Sequence, residues 1–208
     1  MTSDLERDRL DLAYRALALK DEARVGWVQH GVREPESVAG HAWGTAYLCL
    51  LFADAAGVDR DHAVAIAVVH DLAEARTGDF AARLDPTDRQ VSEAEKAARE
   101  RQAIEELLPD AATGLRRLWE AYEARSSPEA VFVRDMNILD MCLQGVRYER
   151  ERRYDPTVLV PSRGGHRHLD EFFKGAEGRL SGELAKRLFA IVRGWYSEAR
   201  SAHAAARS

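Results

Sequence analysis

The chain of 208 residues holds only two cysteines, Cys49 and Cys142, and both fall in apolar segments with a helical period. That scarcity excludes a disulfide or cysteine–zinc framework and leaves two core thiols, as expected in a reducing compartment. Positive charge is also short, since 30 Lys and Arg face 35 Asp and Glu for a net charge of −5. A nucleic-acid-binding domain is typically basic, so no nucleic-acid partner is expected, although local cations can still line a pocket for a small anion. No apolar stretch reaches the roughly 20 residues of a membrane span. The opening residues, MTSDLERDRL, are too charged for a signal peptide. No membrane association and a cytoplasmic location are the expectations. Internal repeats, low-complexity tracts and a convincing domain boundary are missing as well. No run alternates cleanly with a period of two, which leaves an all-α fold.

What is there has a helical period almost throughout. Leu5, Leu10, Leu12, Ala13, Ala16, Leu17 and Leu19 pattern a helix over 4–22. VGWVQHGVREPES interrupts it, and Ser37 is placed to cap a helix that Gly57 stops. Asp59 caps a segment from about Arg60 to Ala75 whose body, AVAIAVV, is apolar all round and therefore central. Pro86-Thr87 opens a charged helix ended by Pro109, and a shorter helix covers 111–125. Ser127-Pro128 begins a long helix to about Tyr154, with proline at its favoured first position. DPTVLVPSRGGHRH reads as a loop with a weak strand tendency at TVLV, and Ser181 caps a last helix into the 190s. The ending SEARSAHAAARS is weakly amphipathic and is expected to fray.

The chemistry concentrates in VVHDLAEARTGDF, residues 68–80, where an apolar run ends on His70 and Asp71 and adds Glu74, Arg76 and Asp79. Burying such groups without partners costs about 2–7 kcal/mol for a neutral polar group and more for a charge. On a continuous helix His70 and Glu74 would lie within about 40° of each other, with Asp71 on the next stripe. A helix C-terminus disfavours carboxylates and favours a cation, so a divalent metal would resolve the conflict. The plainer alternative is a hydrogen-bonded core histidine beside surface carboxylates. His41, near the start of the preceding apolar helix in SVAGHAWGTAYLCLL, favours the metal. It supplies a second imidazole, and imidazole nitrogen with carboxylate oxygen suits transition metals as well as magnesium or manganese.

These pieces, in order, resemble the HD-domain phosphohydrolases, in particular the subgroup of 5′-deoxynucleotidases. The matching residues are Arg24-x-Gly26-Trp27-Val28, Pro35-Glu36-Ser37-Val38-Ala39-x-His41 and Val69-His70-Asp71-Leu72-Ala73-Glu74, followed by Thr77-Gly78-Asp79. Further on come Asp140-Met141-x-Leu143-Gln144 and Leu169-Asp170-Glu171-Phe172-Phe173. The resemblance implies one HD domain over 1–208, with a family-like core of about 10–195, a C-terminal tail at 196–208 and a helical bundle around a mononuclear metal site. It implies one divalent ion (Mn, Co, Mg, Zn, Ni or Fe, the sequence not saying which) on His41, His70, Asp71 and a later helical aspartate. That last position is Asn137 here, in Arg134-Asp135-Met136-Asn137-Ile138-Leu139-Asp140. Its amide oxygen can bind a metal but carries no charge; Asp135 or Asp140 is the alternative ligand. Glu74 and Asp79 match the catalytic carboxylates, Arg24 the phosphate-binding arginine and Trp27 an aromatic beside the sugar.

The implied activity is removal of phosphate from a nucleoside 5′-monophosphate, deoxynucleotide-like, or a related small phosphate ester, by a homodimer. A relative specialised for a modified nucleotide, or a scaffold whose metal site has decayed at Asn137, are the competing readings. Arg76, His30, His62, His203 and the run Arg163–His168 are expected to be structural or solvent-facing. The charge mixture at 88–106 reads as a solvated or dimer-side helix.

Overall fold

A computed structural model describes residues 4–81, 91–108, 112–157 and 168–205. Among them the protein is all-α. Helix α1 covers Asp4–Ala16 and leads through a 3-10 turn, Leu17–Lys20, to the short α2, Val25–Gln29. Helices α3 (Val38–Ala56), α4 (Arg60–Val69), α5 (Glu74–Thr77) and α6 (Glu93–Leu107) follow. The second half holds α7 (Thr113–Ala124), α8 (Pro128–Glu151), α9 (Asp170–Glu177) and α10 (Glu183–Ala205). No strand is present among the described residues; an isolated antiparallel bridge joins Ala23 to Ser37.

Local chemistry sets most of the ends. The hydroxyl of Ser37 accepts from Gly40 N, the Asp59 carboxylate from His62 N and the Ser127 hydroxyl from Ala130 N. Each satisfies a backbone donor that the first helical turn cannot. Gly57 ends α3 at φ 72°, where a side chain would be strained. Helix α8 is the axis, packed against α3, α4, α7, α9 and α10. Met136, Ile138, Leu139, Cys142 and Val146 are buried along it. A second apolar cluster joins Leu12, Leu72, Ile104, Leu107 and Trp119 on the α1–α6 side. Burial pushes the thiols of Cys49 and Cys142 up to about 12, so both are inert core groups. No described helix is long and apolar enough to cross a membrane.

Several expected boundaries move. Helix α4 stops at Val69 rather than Ala75. Beyond it the backbone tightens, Leu72 N bonding to Val69 O, Glu74 N to Asp71 O and Ala75 N to Leu72 O. Bonds of this i→i+3 kind bring residues three apart onto one face, so Asp71 is paired with Glu74 instead of His70. Helix α8 ends at Glu151, where Arg152 takes φ 51°. Helix α6 starts at Glu93 under a Ser92 cap, and Pro86-Thr87 lies outside the described residues. Ser181 does not cap α10. The Asp135 carboxylate of α8 accepts from Ser181 N (2.9 Å) and Gly182 N (2.7 Å) instead. The C-terminal stretch is helical to Ala205, with Tyr196, Ala199 and His203 buried. Of TVLV, all but Thr157 lies outside the described residues.

Candidate metal centre and phosphate pocket

His41 sits in the first turn of α3, placed there by the Ser37 cap. Its Nδ1 is 2.7 Å from Asp140 Oδ2, and a protonated Nδ1 donating to that carboxylate leaves Nε2 with its lone pair. His70 follows the last residue of α4, and its Nδ1 donates to Ala67 O at 2.7 Å, which makes Nε2 the ligating nitrogen of the neutral ring. Asp71 Oδ2 lies 3.1 Å from His70 Nε2 and 3.8 Å from His41 Nε2. A ligand atom from each of these residues falls within 4.8 Å of the others, and all three of these atoms are buried without a hydrogen bond. Two lone pairs and a carboxylate oxygen aimed together repel one another unless a cation stands between them. The donor set therefore fits a divalent ion. Burial, reinforced by Arg24, depresses His41 to about 3, so this imidazole is neutral and able to ligate. Burial opposes a proton on His70, yet the Asp71 charge raises its pKa overall. A metal would replace that proton.

Asn137 lines the same cavity from α8. Its Nδ2 donates to Tyr122 Oη at 2.7 Å, which leaves the amide oxygen as its acceptor. The two rival carboxylates are both committed elsewhere: Asp135 caps α10, and Asp140 stands behind His41. Burial lifts Asp140 to about 7. A Cβ at Gly44, one turn past His41, would meet the Asp140 carboxylate at 2.0 Å, so glycine is what lets α3 approach it.

Glu74 is 4% exposed and its Oε2 has no hydrogen bond. Burial first, then the charges of Asp71 and Asp79, hold its carboxyl well above the usual range. Asp79 is less free. It accepts from Val25 N at 2.5 Å and lies 3.5 Å from Arg24 Nη1. Arg24 is fixed from the other side by the bridge at Ala23–Ser37, its N–H bonding to Glu36 O at 3.0 Å. Its Nη1 reaches Asp71 Oδ2 at 3.6 Å. Burial works against the Arg24 charge, but Asp79, Asp71 and Glu74 raise its pKa, so it stays cationic beside the metal group. Trp27 is core and cavity wall at once: its Nε1 donates to Glu36 Oε1 at 2.9 Å and its ring packs 4.0 Å from Phe172.

His70, Asp71, Glu74, Arg24, Asp79, Trp27 and Asn137 all line one cavity of about 610 Å³, within the roughly 300–1,000 Å³ usual for a small-molecule site. His41 lies just behind, fully buried. Sequence reasoning missed Gly44, Tyr122 and the part played by Asp140. The i, i+3 spacing of His41 and Gly44 in an otherwise apolar helix is the signal that was there to find for the first of them. Arg76 faces solvent and pairs with Glu106. Along α6, Arg99 with Glu95 is solvent-facing, but Lys96 with the buried Glu100 lines the cavity, so the charge mixture there is not wholly a solvated face; residues 88–90 lie outside the described residues. His30 is buried with Nδ1 on Gly26 O, and His62 is near Glu129. His168 and His203 both present Nδ1 to the buried Glu149, which Tyr154 also contacts. Residues 163–167 lie outside the described residues.

A helical bundle that gathers two imidazoles, an aspartate and a buried arginine at one cavity defines a class, the metal-dependent phosphohydrolases. Within it the model of the HD-domain family matches residues 16–164, and the chain belongs to that family. It is similar to the 5′-deoxynucleotidase HDDC2 of Danio rerio, 36% identical over 166 residues that cover 78% of this chain and 74% of that protein. The Homo sapiens 5′-deoxynucleotidase HDDC2 is 40% identical over 135 residues, 63% of each chain. Among solved structures, the PH0347 protein of Pyrococcus horikoshii OT3 superposes with a TM-score of 0.67 at 32% identity, covering 90% of this chain and 98% of that one. A predicted metal-dependent phosphohydrolase from Magnetospirillum magnetotacticum MS-1 gives 0.63 at 26% identity, over 93% and 91%.

Proposed function

We propose that this HD-domain hydrolase removes the phosphate from a nucleoside 5′-monophosphate, a deoxynucleotide above all. The observation that carries the reading is the convergence of His41 Nε2, His70 Nε2 and Asp71 Oδ2, buried and without hydrogen bonds, beside Arg24 and Glu74. The names of the curated relatives support the substrate class. His41, His70, Asp71 and the amide oxygen of Asn137 would hold a divalent ion. When bound, that ion supplies Lewis acidity toward a phosphoryl oxygen and a lowered pKa for water.

The protein's own groups do the rest. Arg24, held by Asp79 and Asp71, offsets charge on the remaining phosphoryl oxygens. Glu74 handles the proton at its free Oε2, taking it from the attacking water and delivering it to the 5′ oxygen as the P–O bond breaks. The new P–O bond comes from water, and nucleoside and inorganic phosphate leave. Asp79, with both oxygens engaged, positions Arg24. Trp27 presents an apolar wall to the sugar.

The single domain spans 1–208 in this reading, since Asp135 and Glu149 tie α10 to the family-matched core. The reduced core thiols support a cytoplasmic setting, and the net charge of −5 argues against a nucleic-acid substrate. The test is phosphate release from a panel of deoxy- and ribonucleoside 5′-monophosphates by stripped protein reloaded with each divalent ion in turn. Release from the deoxynucleotides that stops on chelation is the expected result. No release with any nucleotide and any ion overturns the reading.

A further inference from the structure

The cavity that contains His70, Asp71 and Glu74 has a second, cationic wall. Arg134, on α8 one turn before Asn137, and Arg179, just past the end of α9, both line it. Arg24 and Lys96 line it too, but each has a carboxylate: Asp71 and Asp79 for the first, Glu100 for the second. Among the described residues neither Arg134 nor Arg179 has a carboxylate within ion-pair distance. The ring contact of Arg134 is with Tyr122, whose centroid lies 6.0 Å from the guanidinium carbon. Glu93 and Glu123 reach the same cavity. Even so, burial and then the like charge of Arg134 act on Arg179 more strongly than Glu93 does, and its pKa is lowered. Two guanidinium groups that repel each other at one cavity wall are stabilised when an anion joins them. Their planar forks match phosphate oxygens two at a time.

The reacting phosphate does not account for this wall. Arg24 already serves the metal group, 3.6 Å from Asp71. Arg134 does not serve that group directly: the ion pairs of Asp71 are with Arg24, His41 and His70, whereas Arg134 contacts the ring of Tyr122, which itself lies 5.0 Å from the His70 ring. A nucleoside 5′-monophosphate with its phosphate at the histidines brings only a neutral sugar and base to the rest of the cavity. Nothing in that ligand calls for two unpaired cations.

We propose that Arg134 and Arg179 form an anion subsite, and that the preferred substrate is a nucleotide with a second phosphate besides the one held at the histidines. The inference rests on the phosphomonoesterase reading, whose cavity it shares. The second phosphate is either on the 3′ oxygen, where it stays on the nucleoside, or distal on the 5′ chain, where it leaves with the first as pyrophosphate when the bond to the 5′ oxygen breaks, and the ligands of the test distinguish the two.

Binding is measured by calorimetry on manganese-loaded Glu74→Gln protein, so that turnover does not consume the ligand. The ligands are 2′-deoxyadenosine 5′-monophosphate, its 3′,5′-bisphosphate and the 5′-diphosphate. One of the doubly phosphorylated ligands binds about tenfold to a hundredfold tighter than the monophosphate, the range for one or two hydrogen bonds to charged groups. That advantage disappears when Arg134→Gln and Arg179→Gln are added, while monophosphate affinity holds. Equal affinity for all three ligands overturns the subsite, and this comparison needs no arginine variant to fold. So does an advantage that survives the double substitution, or an equal loss for the monophosphate, which would place the arginines on the reacting phosphate. Turnover of the unmodified protein separates the two claims. Phosphate release from the monophosphate with equal affinities sinks the subsite alone. A bisphosphate preference without release from any nucleotide sinks the phosphatase reading alone.

Discussion

Asn137 brings a neutral amide to a cavity where the family resemblance places a carboxylate. One negative charge fewer beside the ion means weaker retention and a more electron-poor metal. Asn137→Asp should therefore hold the ion more tightly, by an amount in the 10–100-fold range that changes at a ligand's supporting groups typically produce. Titrating metal into stripped protein of both forms checks this, and identical affinities would take Asn137 off the ligand set. Glu74 calls for the opposite pattern. Glu74→Gln should cut turnover by about 10²–10⁴, the usual worth of a positioned acid–base group, with metal content unchanged. Loss of metal in step with loss of rate would make Glu74 a ligand instead. At this scale much was legible in sequence. His41, His70 and Asp71 stood out because polar groups ended or interrupted apolar helices. The part played by Asp140 did not, because its partner His41 is 99 residues away and only the α3–α8 packing brings them together. Asp135 stood in the sequence as an alternative ligand, and its actual duty at the start of α10 needed the fold.

At the scale of elements, the crossing of α3 and α8 is the contact on which the site depends. Gly44→Ala puts a methyl where the Asp140 carboxylate lies, and the short aspartate side chain can move only by leaving His41. Overpacking of this kind costs about 1–3 kcal/mol. The variant should lose metal affinity as well as stability, read by metal titration alongside thermal unfolding. Gly194 is the control: a methyl there meets nothing within 4 Å, and alanine in its place should stabilise α10 by about 0.8–1 kcal/mol with metal affinity untouched. Unchanged metal affinity in Gly44→Ala would show that Asp140 is dispensable to His41. Caps were legible at Ser37, Asp59 and Ser127 because each is a bond between near neighbours in sequence. The break after Val69 was not. The apolar pattern runs on through Leu72, Ala73 and Ala75, and the backbone tightens where those side chains turn toward the α1–α6 cluster.

At the scale of the whole molecule, an exposed apolar stripe runs along α3 among the described residues. Trp43, Tyr47, Leu50 and Leu51 recur at helical spacing, Trp43 is 69% exposed and its ring stacks 5.4 Å from Tyr47. Val68 of α4, the helix packed against α3, is exposed as well. A single helix stripe of this kind is self-complementary under a two-fold axis, and it supports a second copy of the chain as its cover. Light scattering should return twice the 23.3 kDa chain mass, falling to one chain in Trp43→Glu/Leu50→Glu. A monomer in the unmodified protein removes the dimer. Helix α8 has a consequence for descent as well. Around its circumference it sends Asp135 to α10, Asn137 to the cavity, Asp140 to His41 and Glu149 to His203. Each of these letters can be exchanged singly, but inserting or deleting one residue between Asn137 and Asp140 rotates everything downstream by about 100°. Lineages that diverge freely in spelling should therefore keep the length of this helix fixed, and an added alanine after Ile138 should silence the enzyme where most substitutions at that position do not.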